Sequence, residues 1–494
     1  MNGMTTGEAA LDFPILSLAL WLPLLVGLPI IVLARSRNAI AVGALMASLA
    51  QAVLAIVVTV TFDRQATGYQ FVESAEWIPA LGISYKLGVD GVSILMVLLT
   101  GILGPLVVAA SWLTIHRRER EFFAALITLQ TAMLGVFVTL DFILFYVFWE
   151  MVLIPMYLMI GVWGHERRIY ATVKFFLYTF AGSVLMLVAI LAIRFTTGTF
   201  DIEAIPEEMA GASQILQRWV FVAFFLGFAI KVPMFPFHTW LPDAHVEAPT
   251  AGSMVLAGVL LKMGAYGFLR FLIPMAPDAV DEARGLVVAL SLVAIVYGAL
   301  VAMVQPDLKK LVAYSSVSHM GFVTLGIFTA TQTGIDGALV QMLSHGVVSP
   351  ALFFAVGVIY ERAHTRRIDE LGGLAPRMPI YATLFGFFML ASLGLPLLSG
   401  FVGEFLVLVG AFDYATGVGI LAALGVILAA AYMLWMYQRV ALGRLRNQAL
   451  ATIPDVNRTE ILTFVGLGVL VVWVGIVPDT FVRLLSATTA GLAG

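Results

Sequence analysis

The segment FFLGFAIKVPMFPFHTWLP, residues 224–242, decides the fold of this chain. It overlaps an apolar stretch near 218–240, and a helix that crosses a bilayer needs about 20 mostly apolar residues. This stretch nevertheless carries Lys231 at its middle and several prolines, which remove helical hydrogen-bond donors. In lipid a backbone must satisfy its own polar groups, so helices and closed barrels are the structures that span membranes. The segment therefore predicts a transmembrane helix that is interrupted inside the membrane and carries a charge beside the interruption.

The composition of the whole chain agrees with a membrane location. Of 494 residues, 61% are hydrophobic and 12% are charged, against about 25% charged in an average soluble domain. This is too little charge to coat a water-exposed surface, so lipid must cover part of it. The net charge of −3 gives no indication of a nucleic-acid partner. The lack of cysteine excludes disulfides and cysteine-ligated iron–sulfur clusters.

Apolar stretches long enough to cross the bilayer predict an all-α polytopic membrane protein with about 14 transmembrane helices. We number these stretches as spans 1 to 14. They lie near 14–34, 40–61, 92–113, 122–139, 141–161, 171–193, 218–240, 250–272, 286–304, 310–330, 337–359, 379–411, 418–438 and 461–477. Span 12 contains a break and is counted as one discontinuous span. No basic residue precedes span 1 and no small-residue cleavage site follows it, so we expect a membrane span rather than a removed signal peptide.

The basic residues alternate between the two sides of the predicted membrane. Seventeen of the 27 Lys and Arg residues fall in loops that follow odd-numbered spans, and seven fall in the tails and the remaining loops. Cytoplasmic loops carry the excess of Lys and Arg. We therefore expect both termini on the periplasmic side of a bacterial inner membrane. Lys309 and Lys310, after span 9, count here among the cytoplasmic loop residues.

Four ionisable residues stand out inside the predicted spans: Glu150 in span 5, Lys231 in span 7, Lys262 in span 8 and Glu404 in span 12. A charged group at the membrane centre costs about 2.5–3.5 kcal/mol on insertion scales, and such groups usually mark ion pathways. The alternative is a buried ion pair that only holds helices together. Two acids and two lysines in otherwise apolar spans favour an ion pathway, because their burial needs a compensating reason.

Histidines form the second group of candidate residues. His319 lies in span 10 and His345 in span 11. His238 and His245 follow Lys231 at intervals of seven, which keeps one helical face if the helix is roughly continuous. Histidine exchanges protons near neutral pH, although each ring alone could be a hydrogen-bonded packing residue. No close ligand pair such as His-x-x-x-His appears, so we expect no metal site.

Span 12 is interrupted in the same manner as span 7, because Pro396 lies between Gly394 and Gly400, close to Glu404. Paired interruptions in the two halves of a chain point to a transporter site. This pattern predicts two five-span repeats that are inverted relative to one another. The expected regions are spans 1–3 (1–121), the first repeat of spans 4–8 (122–272), the second repeat of spans 9–13 (286–440) and a C-terminal region with span 14 (441–494).

Several long motifs resemble the antiporter-like membrane subunits of bacterial respiratory complex I, over nearly the whole chain. They are FWEMVLIPM at 148–156, KVP at 231–233 continuing to LPDAH at 241–245, LGVDG at 87–91 and SSVSH at 315–319. Within that family the chain is most similar to type M. The L and N types, and the related multisubunit cation/proton antiporters, usually carry lysine where this chain has Glu404. The chain also ends soon after span 14, without the long lateral helix of type L.

The resemblance implies a role in proton transfer for seven side chains: Glu150, Lys231, Lys262, Glu404, His319, His345 and His238. Glu150 and Lys231 would form the family's coupled pair. Lys262 would be the central relay, and Glu404 the terminal proton site. His319 and His345 would connect the relay, and His238 lies beside the broken helix. Movement of Glu150 toward or away from Lys231 would switch the affinity of the lysine for its proton.

The implied function is proton translocation across the membrane, driven by quinone reduction in partner subunits of NADH:quinone oxidoreductase. No Gly-x-Gly-x-x-Gly or Walker loop is present, so we expect no cofactor in this chain. The resemblance places FMN and iron–sulfur clusters in partner subunits. It implies L- and N-type subunits as neighbours and a peripheral redox arm as an indirect partner. Two alternatives stay open: a subunit of a multisubunit cation/proton antiporter, and a scaffold that only anchors redox subunits.

Overall fold

The computed structural model describes residues 13–493 and confirms an all-α membrane protein. Within that range, thirteen helices are long and apolar enough to span a membrane. They are Ile15–Leu33, Arg37–Thr61, Gly91–Trp112, Glu119–Val138, Phe142–Trp163, Arg168–Thr197, Gln214–Lys231, Thr250–Met275, Pro277–Met303, Leu308–Phe328, Gln332–Ala363, Thr416–Val440 and Arg458–Ile476. The remaining span is the broken span 12, which consists of two shorter helices, Pro379–Ser392 and Ser399–Tyr414. Thirteen of the expected spans are therefore found in the expected order, and two shorter helices lie where the broken span 12 was expected.

Span 7 is interrupted where its prolines lie. Its first helix ends at Lys231, and a connector of residues 232–239 separates it from the second helix, Trp240–Glu247. Backbone groups at the break find new partners, because the indole of Trp240 donates a hydrogen bond to the Ile230 carbonyl at 2.9 Å. Buried backbone polar groups need such partners. The bond lets the chain leave helical geometry inside the membrane, directly after the buried lysine.

Span 12 breaks in a similar way between its two helices. Gly394 adopts a φ of +80°, a conformation that glycine reaches without steric cost. At Gly400, a Cβ atom would lie 2.1 Å from the carbonyl oxygen of Ala391, so this close approach requires glycine. The break thus brings the start of the second helix against the end of the first, with Glu404 on the second turn after the interruption.

Span 8 has a feature that was not predicted from the sequence. Two π-helical turns, Leu256–Leu260 and Phe268–Leu272, flank the helical segment Leu261–Gly267. A π turn accommodates an extra residue in the helix and is frequently found at functional sites. Lys262 lies immediately after the first of these turns, so the backbone around the central lysine of the predicted pathway departs from regular α-helix.

The stretch 62–91, between spans 2 and 3, contains a β-hairpin. Strand β1, Gln70–Ile78, pairs antiparallel with strand β2, Ile83–Val89. Lys86 on β2 forms an ion pair with Asp201 at 2.7 Å, in the segment that follows span 6. The hairpin is therefore attached to the same face of the bundle as the connection between spans 6 and 7.

Spans 8, 10 and 11 are the most deeply buried helices of the described chain, and every residue in the apolar window of span 11 is buried. Lys262, His319 and His345 lie one on each of these three spans. A short helix after span 14, Asp479–Thr489, packs against the ends of spans 3 and 11. The predicted relay residues are thus surrounded by other helices and separated from lipid.

Candidate functional site

Glu404 lies in a hydrogen-bonded cluster at the second helix of span 12. Its Oε1 atom is 2.7 Å from Nδ1 of His319, and the amide of Gln341 donates to the same oxygen at 3.0 Å. The glutamate is 3% exposed. The other ring nitrogen of His319 faces the hydroxyls of Ser392 at 3.2 Å and Tyr432 at 3.4 Å. The structure thus joins two residues predicted from the sequence, and an imidazole bonded to a carboxylate can pass a proton to it.

Lys262 forms the second contact of the site. Its Nζ atom lies 2.7 Å from Nδ1 of His345 and also donates to the carbonyl of Ala257, which belongs to the first π turn of span 8. The lysine is completely buried. An ammonium group has three donors and no acceptor, whereas a neutral histidine has one of each. A proton can therefore move between Lys262 and His345 without any movement of the backbone.

A polar gap separates these two contacts. The ring centroids of His319 and His345 are 5.8 Å apart. The two rings border a small pocket. Its polar lining consists of Ser315, His319, Gln341, Ser344, His345, Ser349 and Ser392. Hydroxyl and amide groups at such spacing can hold bridging water, which conducts protons between groups that do not touch. The geometry gives a nearly continuous polar line from Lys262 to Glu404.

Glu150 and Lys231 are close to one another but do not form an ion pair. Lys231 is 1% exposed, and its ammonium lies 5.2 Å from the ring centroid of Trp149. Within residues 13–493, neither Nζ of Lys231 nor Oε1 of Glu150 has a hydrogen-bond partner, although the carboxylate acts electrostatically on the lysine. The hydroxyl of Tyr146 lies beside the same carboxylate. The predicted pair is therefore present in a separated arrangement.

His238 and His245 occupy different environments. His238 lies in the connector of span 7, where its ring packs on Tyr297 of span 9 at 5.4 Å between centroids. His245 is completely buried and stacks on Phe353 of span 11 at 4.3 Å. Because the helix is interrupted between Lys231 and Trp240, the condition for one helical face through Lys231 and the two histidines is not met. The two rings contact the second half of the chain at two separate points.

Two buried polar residues, one in the site and one outside it, were missed in the sequence. Tyr432 lies in the apolar helix of span 13, where the sequence does not distinguish a functional tyrosine from one that only packs against its neighbours. Lys309 was counted as a loop charge, yet it is 4% exposed and donates to the Ala248 carbonyl at 2.6 Å. The sequence signal for both is weak, because it is the tertiary packing that buries them. Among residues 13–493 no group of three or more His, Asp or Glu side chains could hold a metal ion.

The chain has broken spans beside buried lysines and a line of histidines that ends at a buried glutamate. These features are typical of the class of antiporter-like ion-translocating membrane proteins. The family model described as NADH:quinone oxidoreductase/Mrp antiporter matches residues 139–430. The chain belongs to this family, and within it to the subunit M type of NADH-quinone oxidoreductase.

Relatives and solved structures agree with this assignment. Subunit M of NADH-quinone oxidoreductase from Rhodobacter capsulatus is 50% identical, over 97% of this chain and 96% of that protein. A chain of respiratory complex I from Thermus thermophilus with bound NADH has a TM-score of 0.88 at 33% identity, over 97% of this chain and all of that one. A chain of the Mrp complex from Dietzia sp. has a TM-score of 0.84 at 24% identity, over 97% of this chain and 52% of that one, and this similarity concerns the fold alone. The resemblance to the type M subunits is thus confirmed.

Proposed function

We propose that this chain is the proton-translocating membrane subunit M of NADH:quinone oxidoreductase, in which quinone reduction in partner subunits drives proton pumping. The observation that carries the proposal is the buried polar line across spans 8, 10, 11 and 12. Two contacts of 2.7 Å, Lys262 with His345 and His319 with Glu404, stand at its ends. Burial of four titratable groups in one line through an apolar interior costs free energy. Such groups usually have a function, and proton transfer is the function that this arrangement supports.

The proposed route enters from the cytoplasm and runs parallel to the membrane. Lys231 receives a proton first, Lys262 and the histidines carry it laterally, and it leaves near Glu404. His238, in the connector beside Lys231, takes part at the start of the route. Glu150 controls the first step, because a carboxylate that approaches the buried ammonium favours the charged form. The separated arrangement of Glu150 and Lys231 corresponds to the state in which the lysine can give its proton away.

The surroundings of the chain follow from the same assignment. We place it in a bacterial inner membrane with both termini in the periplasm, on the evidence of the basic loops. Its neighbours are L- and N-type antiporter-like subunits, and FMN and iron–sulfur clusters belong to the peripheral arm. The regions 122–272 and 286–440 act as inverted repeats, each with one broken span. Support for a redox assembly comes from the names of the relatives, which are subunits of NADH-quinone oxidoreductase.

The experiment compares the substitution Lys231→Ala with Lys310→Ala in the assembled complex, reconstituted in proteoliposomes. Lys310 is a partly exposed lysine whose side chain makes no hydrogen bond or ion pair within the described residues, and it serves as the matched control. We expect Lys231→Ala to assemble but to lose most proton pumping and coupled quinone reduction, while the control keeps both. A wild-type ratio of protons pumped per electron in Lys231→Ala would refute the proposal.

The same preparation separates the second candidate, a cation/proton antiporter subunit, which the similarity in fold to an Mrp chain keeps in view. An antiporter predicts proton movement that depends on sodium and needs no redox partner. Pumping that follows NADH oxidation and is indifferent to sodium supports the oxidoreductase subunit. Proton movement driven by a sodium gradient in the absence of NADH would support the antiporter instead.

A further inference from the structure

Lys309 is a buried charge to which the proposed route gives no role. It stands at the start of span 10, on the face that the basic loops predict to be cytoplasmic, but it is 4% exposed. Its Nζ atom donates a hydrogen bond to the carbonyl of Ala248 at 2.6 Å, which is a neutral partner. Among the described residues it has no ion pair with a carboxylate. A buried ammonium without a paired anion costs several kcal/mol, so its position requires an explanation.

The charged groups around Lys309 are engaged with other partners. Glu247 accepts a hydrogen bond from the backbone of Arg167 at 2.9 Å, and Asp307 pairs with Arg366 at 3.4 Å. His165 also lies nearby, but burial, with the charges of Lys309 and Arg366, lowers the pKa of His165 to about 3. His165 is therefore uncharged at neutral pH. Lys309 is therefore a buried cation whose charged neighbours are bonded elsewhere and whose own hydrogen-bond partner is a neutral carbonyl.

His245 lies next to Lys309 on the way into the protein. It precedes the Ala248 carbonyl by one helical turn, is completely buried, and neither of its ring nitrogens has a hydrogen-bond partner among the described residues. Both Lys309 and Lys262 act electrostatically on its ring, so both lysines are near it. A buried imidazole with two unbonded nitrogens is costly. That cost is understandable if the ring accepts a proton on one side and donates it on the other.

We propose that Lys309 is a proton-entry residue, which passes protons from the cytoplasmic face through His245 to Lys262 by a route that does not include Lys231. In the first step an N–H bond of the Lys309 ammonium breaks and an N–H bond forms on His245. The histidine then releases its other proton to the neutral amine of Lys262, and Lys309 is protonated again from cytoplasmic water. This inference rests on the proposed function, because Lys262 must pass its proton onward to His345.

A structural role for Lys309 predicts different behaviour. The lysine could simply cap the end of span 7, since the neighbouring Val246 carbonyl accepts a hydrogen bond from Arg366 at 2.7 Å. Cations at a helix C-terminus stabilise it. The substitution Lys309→Arg separates the two roles, because a guanidinium keeps the charge and the donors but does not release a proton in proteins. A cap would tolerate this change, whereas a proton carrier would not.

The test measures protons taken up per electron in proteoliposomes of the assembled complex, for Lys309→Arg, His245→Phe and the control Lys310→Arg. Phe at position 245 keeps a ring against Phe353 but has no nitrogen, so it tests the route independently if Lys309→Arg fails to assemble. We expect both route variants to lose part of the turnover-linked proton uptake, because entry through Lys231 remains, and the control to keep all of it. Wild-type uptake in an assembled Lys309→Arg or His245→Phe complex would overturn the inference. If Lys231→Ala loses pumping while these two variants keep wild-type uptake, the entry route through Lys309 is refuted and the proposed function stands.

Discussion

The substitution Gly403→Ala tests how far proton transfer depends on the contact between spans 11 and 12. A Cβ atom at Gly403 would lie 2.6 Å from Cα of Gln341 and 2.7 Å from its backbone nitrogen. Carbon atoms in ordinary contact are about 3.5–4.0 Å apart. Because the atoms that collide belong to backbone, no side-chain rotation relieves the overlap. The two helices must therefore separate by about 1 Å.

This displacement is large compared with the hydrogen bonds it affects. Glu404, the residue next to Gly403, is bonded to Gln341 at 3.0 Å and to His319 at 2.7 Å. A further ~1 Å takes the distance between Glu404 and Gln341 beyond the range of a good hydrogen bond and shifts Glu404 relative to its other partners. Overpacking of this kind costs roughly 1–3 kcal/mol, which leaves most membrane bundles folded. We therefore expect Gly403→Ala to assemble but to lose proton pumping.

The matched control is Gly468→Ala, in span 14. A Cβ atom there would lie 3.6 Å from a ring carbon of Phe387 and 3.8 Å from one of Phe388, which is ordinary contact. The assay is the ratio of protons pumped per electron in proteoliposomes, with assembly checked in mild detergent. We expect a reduced ratio for Gly403→Ala and a wild-type ratio for the control. A wild-type ratio in both variants would refute the reasoning that pumping needs the close packing of Glu404.

Three further predictions use the same preparations. Glu404→Gln should reduce pumping more than Glu404→Lys, since lysine can still exchange a proton; equal loss in the two would mean that the site requires an anion. The double variant Glu150→Gln with Lys231→Ala should lose no more pumping than Lys231→Ala alone, because the effects of substitutions at neighbouring residues are not additive. A further loss of pumping in the double variant would contradict the coupling of the two residues. Burial, with the charges of Lys309 and Arg366, lowers the pKa of His165 to about 3, while an unfolded histidine has a pKa of about 6.5. The unfolded chain therefore binds a proton that the folded chain does not, so stability should fall as pH drops from about 6.5 towards 3. In thermal denaturation this fall should be smaller in His165→Phe, and equal slopes would argue against a buried neutral His165.

The membrane spans and the mid-membrane charges could be predicted from the sequence because lipid imposes strict demands. A helix in lipid needs about 20 apolar residues, so exceptions such as Lys231 or Glu404 stand out against their neighbours. Prolines also mark the breaks, since each lacks a backbone donor. These are properties of short segments, and a short segment contains all the information that is needed to detect them.

The contacts between these residues could not be predicted in the same way. His319 and Glu404 meet because spans 10, 11 and 12 pack closely, and glycines such as Gly403 allow that approach. Nothing in either segment alone encodes the pairing. Lys309 shows the opposite error, because the rule that assigns basic residues to cytoplasmic loops takes no account of packing. Its side chain turns inward to the end of span 7 and becomes part of the interior.

The two acidic residues of the proposed pathway differ in their contact with the neighbouring basic residue. Glu404 is in direct contact with its proton partner, His319, whereas Glu150 is separated from Lys231. In a low-dielectric interior a close carboxylate holds a proton on its partner much more strongly than a distant one. In this structure the carboxylate contact is thus closed at the Glu404 end of the proposed pathway and open at the Lys231 end. We propose that proton transfer along this pathway requires both separations to change during turnover.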